Sequence, residues 1–406
     1  MFVEQSAARL WRVRLGFLLL CLVPVAGLAA WALHWHSVAH RQETAAVATR
    51  LLGTEVSFES LSHPQPGTLR LEGVRLAGTS LGTVEVEAIP TEVRLRLDRC
   101  DVQPGFVRQL ATLANRWLTE PALFPRNSVI DITGLSWTTA VGEGEAVWPL
   151  RVECVTAGGV RAVRIVSPTR AANEIRIVRT IEPTATRSRN RWEVHATLTD
   201  PLPAAAIIAR LGRSPLAGWQ LGPEAVVTGT LQAAATSDGW AGQASGRVAG
   251  VELGAVTAKL PYQARGAASI DVASLIWAES RVSAADLLLV SPRGTLAQEW
   301  LDGLVSMVGC RAAPATVARE PTAMREFEQL ALRLEVDGGG ARLRAEPQRA
   351  GCLVESQGLP LVFEPPAAVT LDRLAWLLSG TRAAAVPGTP VSAWLLSVLP
   401  LPQRSR

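Results

Sequence analysis

Lysine is almost missing from this chain. Of its 40 basic residues only Lys259 is a lysine, and tyrosine occurs once. A GC-rich coding sequence produces such an arginine bias, so no argument rests on single Arg-for-Lys choices. Charged residues make up 19% and the net charge is +4, with no segment that interleaves basic residues and aromatics. That removes nucleic acid from the expected partners. The five cysteines contain no C-x-x-C pair, so their spacing does not read as a metal ribbon. No G-x-x-x-x-G-K-[ST] string is present, and no glycine-rich loop opens a helix. No phosphate-binding loop and no cofactor are therefore expected.

What is there is apolar and foldable. Apolar residues reach 48%, with 26 prolines, in 406 residues. This is a folded composition, long enough for two or three domains. Leu15 to Leu33 carries no charge over 19 residues. At about 1.5 Å per residue it reaches roughly 28 Å, the thickness of a bilayer core. Arg9, Arg12 and Arg14 precede it, and Trp11, Trp31 and Trp35 flank it as interfacial aromatics do. A cleaved signal peptide would have a shorter apolar run followed by a small-residue site; here the small residues near Gly27 to Ala30 lie inside the run. The expectation is an uncleaved single-pass anchor at 15–35. Residues 1–14 are then cytoplasmic and the bulk of the chain is periplasmic, with the anchor in the inner membrane. Outside the span, four cysteines allow three pairings or none, with Cys310–Cys352 the candidate bridge.

Beyond a short stalk at 36–52, the chain reads as alternating strands. In GTLRLEGVRLAG (67–78), Leu69 and Leu71 share one side with Arg70 and Glu72 opposite; the phase slips at Gly73, after which Val74 and Leu76 carry the apolar side. Alternation marks a strand with one buried face, and a glycine at the slip marks a bulge. Val93, Leu95 and Leu97 alternate in the same way. Leu69, Leu71, Val74, Leu76, Val93, Leu95 and Leu97 are the candidate lipid-facing residues. Further strands are expected up to about residue 365, among them 129–139, 174–181, 191–199, 225–234, 239–253, 255–264, 268–278, 281–291 and 329–338. Short helices are expected over 104–118, 203–212, 294–309 and 370–380, where apolar residues recur at helical spacing after proline-containing turns. The expected fold is mainly β: an N-terminal transmembrane helix, then amphipathic, curved antiparallel-type sheets interrupted by about four short helices. Units are expected at 53–200, 201–310 and 311–406.

Chemistry-bearing motifs are weak. Gly78, Ser80 and Gly82 spell the G-x-S-x-G nucleophile elbow, but that elbow needs a following helix and a strand follows here. His195 falls on the Glu193 side of a strand. His34, His36 and His40 could share a helical face as metal ligands, but they stand where interfacial polar residues belong, and that reading is preferred. No catalytic, cofactor or metal site is assigned, and an enzyme is not expected.

An anchor helix followed by the cadence V-S-F-E-S-L-x(4)-P-G-T-L-R-L-E-G-V-R-L resembles the opening of the AsmA-like family, which includes TamB. GTLQAAATSDGWAGQASGRVAGVELGAV is similar to the glycine-punctuated strands of its C-terminal repeats. The layout is also similar to protein N of type II secretion. The AsmA-like resemblance implies an inner-membrane anchor and a bent sheet whose apolar face carries phospholipid acyl chains. It makes membrane lipid the expected partner. The likeness to protein N implies the alternative, a non-catalytic scaffold with envelope or secretion proteins as partners.

Overall fold

The computed structural model describes residues 7–371 except 77–78, 99, 103, 121–123, 125, 140–141, 159, 184–187, 205–219, 237–238, 259, 261, 280 and 317–323; beyond 371 it describes Arg373, Leu377 and Ser397. The chain is mainly β. It divides into two compact units, Met1–Arg151 and Val152–Arg406. Residues 152–200 cluster with the strands that follow them.

The first unit begins with helix α1 (Ala7–Phe17), a π-helical turn (Leu18–Leu22) and α2 (Val23–Trp35). Within it, Arg14–Trp35 is long and apolar enough to cross a membrane, with a mean hydropathy of 2.2 and no part buried. The helix stops at His36, and Ser37 starts α3 (Val38–Leu52) by accepting the His40 N–H at 3.1 Å. Strands β1 (Val56–Ser57) and β2 (Ser60–Ser62) both pair with β3 (Thr68–Leu76), which pairs with β4 (Thr79–Ala88), and β4 with β5 (Glu92–Leu97). Gly73 takes φ +65° where the β3–β4 register shifts, and a Cβ there would stand 2.6 Å from Glu59 Cδ. The expected bulge is present, and it requires glycine.

After β6 (Cys100–Val102) the chain runs through α4 (Pro104–Thr119) into β7 (Asn127–Thr139) and β8 (Gly142–Ala157), within which the unit boundary falls. β7 pairs in parallel with β5 and β6. The sheet is therefore mixed, where antiparallel pairing was expected. Parallel neighbours need a crossover, and α4 supplies it, with Trp117 and Leu118 buried.

The second unit holds β9 (Val160–Ser167), β10 (Arg170–Pro183), β11 (Ser188–Pro203), β12 (Val226–Thr236) and β13 (Gly239–Glu252). It continues through α5 (Leu253–Thr257), β14 (Ala264–Ala278), β15 (Arg281–Ser291), β16 (Gly294–Ala297) and α6 (Gln298–Gly303). β17 (Arg311–Ala312), β18 (Met324–Phe327), β19 (Gln329–Asp337), β20 (Gly340–Arg344), β21 (Cys352–Ser356) and β22 (Leu359–Phe363) complete it. Antiparallel pairs run in the order β9–β10–β11–β12–β13–β14–β15–β19–β20. Register shifts in four of these pairings bend the strands. The deepest core gathers Leu296, Leu301, Leu304, Leu330, Leu353 and Val362.

Two local expectations change here. Residues 294–297 form a strand before the helix, because β16 pairs with both β14 and β18. Part of the expected strand 255–264 is α5, because Thr257 Oγ1 donates to the Leu253 carbonyl at 2.8 Å and accepts the Ala264 N–H at 3.1 Å, closing a turn that buries Leu253. The helices expected over 203–212 and 370–380 lie largely outside the described residues. Cys310 and Cys352 are separate buried thiols rather than a bridge; Cys352 Sγ donates to the Val354 carbonyl at 3.3 Å.

Candidate functional site

In the first unit, strand register aligns the sequence-predicted apolar residues in rungs. Leu61, Leu71, Val84, Leu97 and Ile132 form one rung across β2, β3, β4, β5 and β7. Leu69, Val86, Leu95 and Ile130 form the next. Side chains opposite one another in a sheet share a face. Burial is graded along the strands. Leu71, Val74, Leu76 and Leu97 are buried, in one cluster with Val56 and Cys100, and Ala48 and Leu52 of α3 pack onto it. Leu69 and Leu95 are half-buried at the margin of that cluster, and Val93 is half-buried opposite exposed Ala88. All seven candidates share one face, but four of them are core. The opposite face is a ladder of alternating charge in register, Arg70, Glu85, Arg96 and Asp131, with Arg70 Nη1 3.8 Å from Glu85 and Arg151 3.6 Å from Asp131.

The second unit carries a longer apolar row. Ile165, Ile175, Ala196, Leu231, Ala244, Leu275, Ala285, Val336 and Ala341 are successive register partners across nine antiparallel strands, β9 to β15 and then β19 and β20. Eight inter-strand steps of about 4.8 Å make it roughly 38 Å long. Parallel to it lie Val163, Ile177, Val194 and Ala233, and on the other side Leu287, Leu334 and Leu343. From Ile165 to Leu275 the row is half-buried; at Ala285, Val336 and Ala341 it is buried. Two register-paired glycines, Gly229 and Gly246, lie beside the row, and a Cβ on either would collide with the facing backbone. The row's margin ends at Arg161 and Arg179, buried register partners, with the Arg179 guanidinium 5.9 Å from the Trp192 ring centroid. Burial first, then Arg179, lowers the Arg161 pKa.

The reverse face of these strands carries most of their charged and amide side chains. Arg164 bonds Glu174 and Glu153; the Glu174 hydrogen bond raises the arginine's pKa and lowers the carboxyl's. Gln243 donates to Gln232 at 3.2 Å, and Arg333 grips Asp286 through two bonds of 2.9 and 2.6 Å. His195 is on this face, exposed, with Nε2 3.7 Å from Glu193 as the alternation predicts. The row face is thus mainly apolar, and the opposite face carries the ion pairs together with Val166, Val178 and Ile276.

Ser80 sits exposed within β4, opposite Arg75, with no helix following. A cavity of about 600 Å³ in the second unit is lined by Arg293, Thr295, Glu326, Phe327 and Glu328 among others, without histidine or cysteine. At the end of the apolar helix, rings gather: Trp35 lies 5.3 Å from His40 and 4.0 Å from His63. Desolvation first, then His40 and His36, lowers the His63 pKa.

Comparison with protein-family models, curated proteins and solved structures finds no match.

Proposed function

We propose that the chain is a membrane-anchored envelope protein that shields or transfers lipid acyl chains along the apolar row of its second unit. One observation carries this reading: a half-buried apolar row continuous over β9 to β14, backed by a face on which Arg164, Arg176, His195, Gln232 and Gln243 stand in register. An acyl chain of about 16 carbons in water costs on the order of 10 kcal/mol, at about 0.8 kcal/mol per CH₂. Covering it needs apolar surface and no covalent chemistry. Arg161 and Arg179 supply positive charge at the row's margin, where a phosphate headgroup would leave it. The anchor keeps this surface near a lipid source. The arginines before the span support an orientation with the N-terminus in the cytoplasm and the bulk of the chain in the periplasm, the anchor lying in the inner membrane under this reading. The AsmA-like resemblance implies the same use of a sheet.

The first unit favours a second role for its own strands. Its deep rung is closed under α3, so Leu71, Val74, Leu76 and Leu97 act as core, and this unit fits a scaffold, as an envelope or secretion assembly component would need. Extraction of the purified full chain followed by lipid mass spectrometry tests the main reading. Stoichiometric phospholipid supports it, and a lipid-free chain moves the assignment to the scaffold.

A further inference from the structure

The end of the apolar helix assembles a donor set that the lipid reading does not use. His34 lies in the last turn of α2, and His40 and Glu43 lie on the first turns of α3. One ligand atom from each stands within 4.8 Å of the others. Positions i and i+3 share a helix face, which brings the His40 imidazole and the Glu43 carboxylate together. The bend at His36 and the Ser37 cap then turn that face towards His34. The bend separates His36 from this group, although sequence alone places it with His34 and His40. His63, from the turn before β3, lies 6.1 Å from His40, ring centre to ring centre.

We propose that His34, His40 and Glu43 bind a divalent transition-metal ion, with zinc the best fit. Two imidazoles and a carboxylate, with a fourth position left to water, are a recognised zinc set, with metal–ligand distances of about 2.0–2.2 Å. Donor atoms already within 4.8 Å reach such distances by side-chain rotation. All three side chains are accessible, His34 and Glu43 exposed and His40 half-buried, so an ion can enter from solvent. The ion would tie α2 to α3 across the break at His36 and fix the angle at which the chain leaves the membrane. Copper and nickel would compete, since the order of affinity at such sites is set by the metal more than by the ligands.

The test is zinc titration of the full chain, purified in detergent through a tag without histidine. Expected is one Zn²⁺ per chain, with binding weakened at least about tenfold by each of His34→Ala, His40→Ala and Glu43→Gln. His36→Ala and His195→Ala should leave it unchanged. His34, His36, Glu43 and His195 are exposed and His40 is half-buried, and circular dichroism confirms that the variants fold. No stoichiometric binding, or binding that survives Glu43→Gln and His40→Ala alike, overturns the proposal. Neither outcome bears on the lipid row, which lies in the other unit.

Discussion

Leu275 on β14 and Ala285 on β15 are register partners, and the burial of the apolar row changes between them. Leu275 is half-buried, whereas Ala285 is 8% exposed and packs with Val336 and Ala341. The row therefore has a filled end over β15, β19 and β20 and a half-buried stretch over β9 to β14. The proposed function assigns acyl chains to the half-buried stretch, and substitutions should separate the two.

In the first unit, Leu71→Asp should behave as a core lesion. A carboxylate placed among Val56, Val84 and Leu97 loses its hydration without gaining a partner, at a cost of several kcal/mol. The expected result is a large fall in melting temperature or no expression. Arg70→Gln, on the exposed ion-paired face, should change stability by no more than about 1 kcal/mol. A stable Leu71→Asp chain that has lost lipid would instead place acyl chains on β3.

Gly73→Val should destabilise by about 1–3 kcal/mol, since φ +65° is strained for a β-branched residue. The new Cβ would also displace Glu59. Thermal unfolding reads this, and a neutral effect would mean that the bulge can move along β3.

Thiol chemistry gives a third check. Burial pushes the pKa of Cys154 and of Cys310 up to about 12. A raised thiol pKa keeps the unreactive protonated form until the pH approaches that value, so neither cysteine should be alkylated by iodoacetamide at pH 8 in the native chain. Both should label after denaturation. Native labelling at Cys310 would contradict its place in the core.

Topology is tested by fusion. Alkaline phosphatase joined to the C-terminus should be active if the chain beyond the span is periplasmic. An inactive phosphatase beside an active cytoplasmic reporter at the same site would reverse the orientation.

Local features were legible in the sequence wherever alternation was strong. The apolar side of β3, the bulge at Gly73, the faces of β5 and the side of β11 that carries His195 all follow from a period of two. Pairing partners were not legible. The parallel return of β7 onto β5 depends on contacts more than thirty residues apart, which no local pattern encodes. The apolar row was missed for a related reason. On β11 and β13 it is built of Ala196 and Ala244, and Ala233 and Gly242 stand in the rung beside it, small residues with a faint hydrophobic signal. Only register shows that they continue Ile175 on one side and Leu275 on the other. At the histidine cluster the spacing was visible, but the helix break at His36 exchanged His36 for Glu43, and the cue was the capping Ser37.

The most direct test of the lipid row is photo-crosslinking from the two faces of one strand. A benzophenone amino acid replaces Leu231 in one full-length chain and its neighbour Gln232 in another, and both are irradiated in native membranes. Mass spectrometry should find phospholipid attached at position 231 and little or none at 232. Equal labelling at both positions, or none at 231, would contradict the account.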